Sequence, residues 1–155
     1  MKNLLKESEI WVVHGGDTGL AATDIDCTTL VDVSGYEDVM FITSVVETSA
    51  GCSTGTILMV PRHASVNTST TGITDLGSTA QAGTTALTTG MWGEYVAIDV
   101  HRPTQRYMTV SLNKTGADNV MVGPCYGIAY NPTYAPTSQS TSYEIQSKLL
   151  ESPVT

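Results

Sequence analysis

The chain has 155 residues, a formal net charge of −8, and 7 Lys and Arg against 15 Asp and Glu. Cations so few and so scattered exclude binding to a phosphate backbone, which needs clustered Lys and Arg. The length allows one domain with a sizeable core, with or without arms, and no run approaches the ~18 apolar residues of a membrane helix.

Only 14% of the residues are charged, well under the usual level of about 25%. Polarity comes instead from 24 Thr and 14 Ser. Thr favours strands and Ser favours turns. With 14 Gly and a single Phe, the composition is that of an all-β chain with many turns. Cys27, Cys52 and Cys125 are far apart, odd in number and free of any CxxC spacing. A disulfide framework or a zinc site is therefore not expected; the thiols read as small buried or half-buried side chains in a protein made in a reducing cytosol. The opening Met1-Lys2-Asn3-Leu4-Leu5-Lys6-Glu7 lacks the sustained apolar stretch of a signal peptide.

In chain order, residues 1–23 read as an N-terminal arm. Residues 4–7 fit one helical turn. Ile10-Trp11-Val12-Val13 is a short apolar run that is not stable alone. It must add a strand to a sheet, in its own subunit or in a neighbour. His14-Gly15-Gly16-Asp17-Thr18-Gly19 is a loop. Residues 24–33 read as a strand carrying Ile25, Leu30, Val31 and Val33, and 34–38 as a turn. The run 39–46, VMFITSVV, is the most apolar in the chain and is expected at the centre of the core. A Ser/Thr/Gly loop at 47–55 leads to a strand at 56–61, where Pro61 predicts either an end or a sheet edge. The polar stretch 62–90 is too long to lack structure. It predicts short β pieces near 73–76 and 84–87, anchored by Ile73, Leu76 and Leu87.

The clearest pattern spans 95–130. Val96, Ile98 and Val100 fall on one face, and Tyr95, Ala97, Asp99 and His101 on the other. Arg102-Pro103-Thr104-Gln105 interrupts. Met108, Val110 and Leu112 then alternate with Thr109, Ser111 and Asn113, the period of a strand with one buried face. The polar turn 113–119 predicts a hairpin to Val120 and Val122. A last strand runs over 126–130, and the prolines at 132 and 136 carry the chain away in extended form. Residues 137–155 read as a C-terminal arm. Within it, 142–150 fits a short helix capped by Ser142, with Tyr143, Leu149 and Leu150 as apolar contacts, which would need a partner to hold. Seven or eight strands at roughly ten-residue spacing give an all-β fold, a β-sandwich, jelly roll or small barrel over 24–136, with extended N- and C-terminal arms.

Candidate chemistry is sparse. His14, His63 and His101 show no metal-ligand spacing. His101 and Asp99 share a strand face and have the composition of a base with its orienting carboxylate, but the plainer reading is a polar outer face. Asp24 and Asp26 lack the remaining oxygens of a calcium site, and Asp17-Thr18-Gly19 reads as a chance match to the aspartic-protease triplet. No catalytic residue, metal ligand or cofactor is assigned, and the chain reads as a non-enzyme. Asn67-Thr68-Ser69 and Asn113-Lys114-Thr115 are glycosylation sequons without a secretory signal. Arg102, Arg106 and Tyr107 fit either a subunit contact, since Arg and Tyr anchor interfaces, or a turn whose arginines pair with Asp99 or Glu94. Trp92 fits a cover for the end of the sandwich, and Trp11 fits an interface.

Three stretches carry a resemblance. Asp26 followed by Ser34-Gly35-Tyr36-Glu37-Asp38-Val39-Met40-Phe41-Ile42 resembles the opening of a family of small tailed-bacteriophage structural proteins. Ala97-Ile98-Asp99-Val100-His101-Arg102-Pro103-Thr104-Gln105-Arg106-Tyr107 is similar to that family's central segment. Gly127-Ile128-Ala129-Tyr130-Asn131-Pro132-Thr133-Tyr134-Ala135-Pro136 is similar to its closing one. The N-terminal arm and the Thr-rich stretch 62–90 have no counterpart in that pattern. The resemblance implies a β-sandwich head decoration, or cement, protein. Such proteins usually sit as trimers on the outer surface of the capsid, with the major capsid protein as partner and no nucleic acid or membrane. On that reading Trp11, Val12 and Val13 are the first candidates for capsid or subunit contact, Arg102, Arg106 and Tyr107 the second, and the arm bearing Tyr134 and Tyr143 the third. The alternatives are a head-closure or tail-tube component at the portal vertex, and a lectin-like module that stacks sugars on Trp11, Trp92 and the tyrosines.

Overall fold

A computed structural model describes residues 8–18, 23–48, 56–68, 72–76, 83–86, 93–115 and 119–133. Eleven strands lie in these residues: β1 (Glu9–His14), β2 (Ile25–Asp26), β3 (Val31–Asp32), β4 (Tyr36–Thr48), β5 (Thr56–Ala64), β6 (Thr74–Asp75), β7 (Gly83–Ala86), β8 (Tyr95–His101), β9 (Tyr107–Thr115), β10 (Val120–Val122) and β11 (Cys125–Pro132). All pairings are antiparallel and form two sheets. The fold is an all-β sandwich.

The first sheet is built on β4. Its 13 residues pair with β8 along one edge and with β11, then β10, along the other, and β1 lies beyond β11. The second is built on β9 and β5. Short β2 and β3 sit on the far side of β9, and β6 and β7 on the far side of β5. Alternation sets which face of each strand is buried. Val39, Phe41 and Val45 of β4 point inward with Val96 of β8, and meet Met108, Val110 and Leu112 of β9 with Ile57 and Met59 of β5. Burial of these side chains, at about 1.5–3 kcal/mol each, is the main force that closes the two layers. Gly127 is required there. A Cβ on it would lie 2.6 Å from a Val31 methyl and 2.9 Å from the Phe41 ring, so the two layers approach closely only over a residue without a side chain.

The inward alternation of β8 and of Met108, Val110 and Leu112 is as the sequence predicts, but Thr109 and Ser111, on the face of β9 expected to be wet, are buried. Also as predicted are the two β pieces in the Thr-rich stretch, which appear as β6 and β7 on the edge of β5. Leu76 packs on the core and Ile73 is half-buried, while Leu87 lies outside the described residues. Ile10-Trp11-Val12-Val13 takes the first of its two options and pairs with β11 of its own chain. This stretch, assigned to an arm, is an edge strand of the sandwich.

Three expectations are corrected. The turn at 113–119 does not close a hairpin: β9 belongs to the second sheet and β10 pairs with β4 in the first, so the segment crosses between layers. Polar turn chemistry marks a reversal but does not say which sheet the next strand joins. The strand at Pro61 continues to Ala64. The Pro61 carbonyl accepts from Leu76 N at 2.8 Å, and β5 has β9 on one side and β6 and β7 on the other. Neither an end nor a sheet edge therefore falls at Pro61; its missing N–H faces the gap between β6 and β7. The stretch 24–33 is two short pieces, β2 and β3, on one edge of β9.

Candidate functional site

The stretches that carry the resemblance are distant in sequence and meet at one corner. β4 starts beside the ends of β8 and β11, with Asp38 paired in register to His101 on one side and to Tyr130 on the other. Asp38 is nearly buried. Its carboxylate accepts from His101 Nδ1 and from Asn131 Nδ2. An ionised carboxylate only accepts, so the His101 proton sits on Nδ1. Burial works against the Asp38 charge, but the bonds from Asn131 and His101 and the nearby Arg102 charge outweigh it and hold the carboxyl below its usual pKa. Main-chain bonds lock the same corner: Arg102 N donates to Glu37 O at 2.7 Å and Thr133 N to Gly35 O at 2.8 Å. Arg102 and Asn131 both adopt positive φ, 50° and 53°, an uncommon conformation for residues other than Gly. The corner clamp holds them there.

Asp99 and His101 do not pair with each other, in line with the plainer reading of a polar outer face. Asp99 accepts from Tyr130 Oη at 2.5 Å, and burial followed by that bond pushes the Tyr130 phenol well up. Arg106 forms a two-pronged pair with Asp32, with Nη2 to Oδ2 at 2.7 Å and Nε to Oδ1 at 3.1 Å, and lies 5.2 Å over the Tyr107 ring. Burial opposes the Asp32 charge, yet hydrogen bonds from Arg106 and Ser34 hold its carboxyl low. Arg106 therefore pairs with a carboxylate, but with one from β3 rather than with Asp99 or Glu94.

A second ionic cluster seals the far end. The Lys114 side chain is 2% exposed, and its Nζ donates to Asp17 Oδ2 at 3.0 Å and to Val120 O at 3.3 Å. Asp17 also accepts from Val122 N. This explains Asp17-Thr18-Gly19 without catalysis, since the Asp joins the β1 loop to β9 and β10. Cys27 and Cys125 are buried thiols in the shared core. The contact with Cys27, then burial, drives the Cys125 pKa far up, which makes it inert. An open groove of about 260 Å³ between β8 and the β5–β6 edge is lined by Pro61, Leu76, Ile98, Asp99, Val100 and His101. Among the described residues no group of three or more His, Cys, Asp and Glu could hold a metal ion.

Exposed apolar side chains gather on the outside of the first sheet. Rows across four of its five strands read Val12–Tyr126–Ile42–Ala97 and Ile10–Ile128–Met40–Asp99. Tyr95 is 66% exposed, Val12 41%, Tyr126 39% and Val46 39%; among the described residues, four of the five exposed large apolar side chains lie on this one face. A contiguous exposed apolar patch marks a surface meant to be covered. Of the residues selected from sequence, Trp11 and Val13 point into the core of their own chain and Val12 belongs to this outer face. Arg102 sits at the corner, and Arg106 and Tyr107 at the start of β9 in the second sheet. Tyr134, Tyr143 and Trp92 lie outside the described residues. Met40, Ile42, Tyr95, Tyr126 and Ile128 were missed. The signal was present: VMFITSVV is apolar at both parities, and a strand apolar on both faces is covered on both.

No family model matches the sequence, and no curated protein matches it.

Proposed function

We propose that this chain is a virion structural protein: a non-enzymatic capsid decoration, or cement, protein that binds the outer surface of a tailed-phage head as a trimer and staples neighbouring capsomers. The observation that carries the reading is the apolar outer face of the β1–β11–β4–β8 sheet, on a sandwich whose Arg62, Arg106 and Lys114 are paired within the chain. Such a molecule is suited to being covered by protein, and its local chemistry serves structure. The class comes from the resemblance of 24–136 to phage structural proteins, whose three quoted stretches meet at the Asp38 corner. Many copies on a symmetric shell act together, so modest contacts per copy suffice.

The test is direct. Purified protein is added to expanded phage heads that lack it, and bound copies are counted by quantitative mass spectrometry alongside the oligomeric state from sedimentation. Hundreds of copies per head and a trimer support the reading. Tens of copies or fewer move it to a component of the portal vertex. A monomer that leaves expanded heads bare overturns it.

A further inference from the structure

We propose that the outer face of the first sheet docks a protein surface that is apolar at its centre and carries Lys or Arg along the flank that meets β8. This rests on the decoration reading only for the identity of one probe. The centre is set by Val12, Tyr126, Ile128, Met40 and Ile42. The flank is set by charge. Glu47 at the end of β4 and Glu94 before β8 are exposed, and Asp99 stands exposed on β8 itself. Arg102 lies past the end of β8, at the corner. The other three described cations are held by carboxylates of the chain: Arg62 by Asp26 and Asp75, Arg106 by Asp32, and Lys114 by Asp17. The apolar face is thus flanked along β8 by exposed carboxylates, with Arg102 beyond them at the corner.

This asymmetry selects the occupant. Covering the face removes water from Glu47, Glu94 and Asp99, which is costly unless the incoming surface supplies cations. A second copy brings the same three carboxylates and the same net charge of −8, so like charges oppose it. A basic-flanked partner meets them, gains on-rate from the attraction, and binds less well as salt rises.

Two probes test the inference: expanded heads lacking the protein, and a synthetic peptide of alternating Leu and Lys, with a Leu/Glu peptide as control. Binding is read by titration, and its place by hydrogen exchange of β4, β8 and β11. Two variants are compared with the native chain after thermal melts verify folding. E47Q/E94Q/D99N is expected to weaken binding about tenfold and to flatten its salt dependence. Val12→Asp with Tyr126→Asp is expected to weaken it about a hundredfold. If both variants bind heads and the Leu/Lys peptide as the native chain does, the inference is overturned while the decoration reading stands. If native protein ignores heads but the Leu/Lys peptide protects β4 and β11, the decoration reading fails and the docking face stands. Self-association of native protein that buries this face, seen by sedimentation and abolished by the Val12 and Tyr126 changes, makes a second copy the occupant and overturns the inference.

Discussion

Outside the second sheet, Arg62 of β5 reaches 2.8 Å to Asp26 on one side and 3.1 Å to Asp75 on the other. Ser111 Oγ donates to Asp26 at 2.9 Å and Thr109 Oγ1 to Cys27 O at 3.0 Å. Val60, which shares that face, is already covered, at 1% exposure. Outside the first sheet, the central strand offers Met40, Ile42 and Val46, with Tyr126 and Val12 beside them. Both sheets bury their inward side chains in one core, so the outward chemistry is free to differ. The second sheet engages Arg62, Ser111 and Thr109 with groups of its own chain. The first leaves apolar area in water, which is unfavourable for the chain alone and sensible where another surface removes that area from water.

The comparison depends on the layers staying closed, so the largest effects are expected at the seam. Lys114→Met leaves Asp17 as an uncompensated charge and is expected to cost about 3–5 kcal/mol in urea unfolding. Adding Asp17→Leu should restore most of it, because removing both charges also removes the desolvation cost. Next is Gly127→Ala, whose new methyl meets Val31 from the second sheet and Phe41 from the first. About 1–3 kcal/mol of overpacking is expected, again read by urea unfolding.

The faces themselves should separate under smaller changes. Arg62→Ala breaks two ion pairs on the second face and is expected to cost about 1 kcal/mol. Tyr126→Ser on the first face should stay within about 0.5 kcal/mol, because the side chain contributes little to the isolated fold. A Tyr126→Ser loss well above the Arg62→Ala loss would mean that the first face is part of the fold and not a surface awaiting a partner.

Acid gives the subtlest separation. The carboxyls of Asp38 and Asp32 are held below their ordinary values in the folded chain, so the folded state favours their ionised forms. Their contribution is complete above the unfolded Asp value of about 3.9 and is lost as pH falls through the lower folded values. Melting temperature is therefore expected to be unaffected by these two groups between neutrality and about pH 5, and to drop below pH 4. Asp38→Asn should lower the plateau and shallow the acid slope. An acid slope unchanged by Asp38→Asn would remove the corner clamp from the account.

Sequence made the local half of this fold legible. The alternation in β8 and in Met108, Val110 and Leu112 needs only near neighbours, and so does the length argument that placed β6 and β7. Pairing across distance was not legible. Asp38 and His101 are 63 residues apart and Asp38 and Asn131 are 93 apart, so the shorter Asp99–His101 spacing drew attention to a pair that does not form. Trp11 illustrates the same gap: an aromatic in a short apolar run suits an interface or a core, and only the β11 pairing places it in the core. The docking face was half legible, in the double-parity apolar run of β4, but its extent depended on knowing that β1, β11 and β8 lie beside it.

The central claim, that the two outer faces have different fates, is tested most directly by the tyrosines already on them. Tyr95 and Tyr126 lie on the first face, and Tyr107 lies on the second at the start of β9, between β3 and β5. Hydroxyl-radical footprinting of the protein, free and bound to expanded heads, reads all three at once. The account predicts that Tyr95 and Tyr126 lose reactivity on binding while Tyr107 keeps it. Protection of Tyr107 with Tyr95 and Tyr126 unchanged would contradict it.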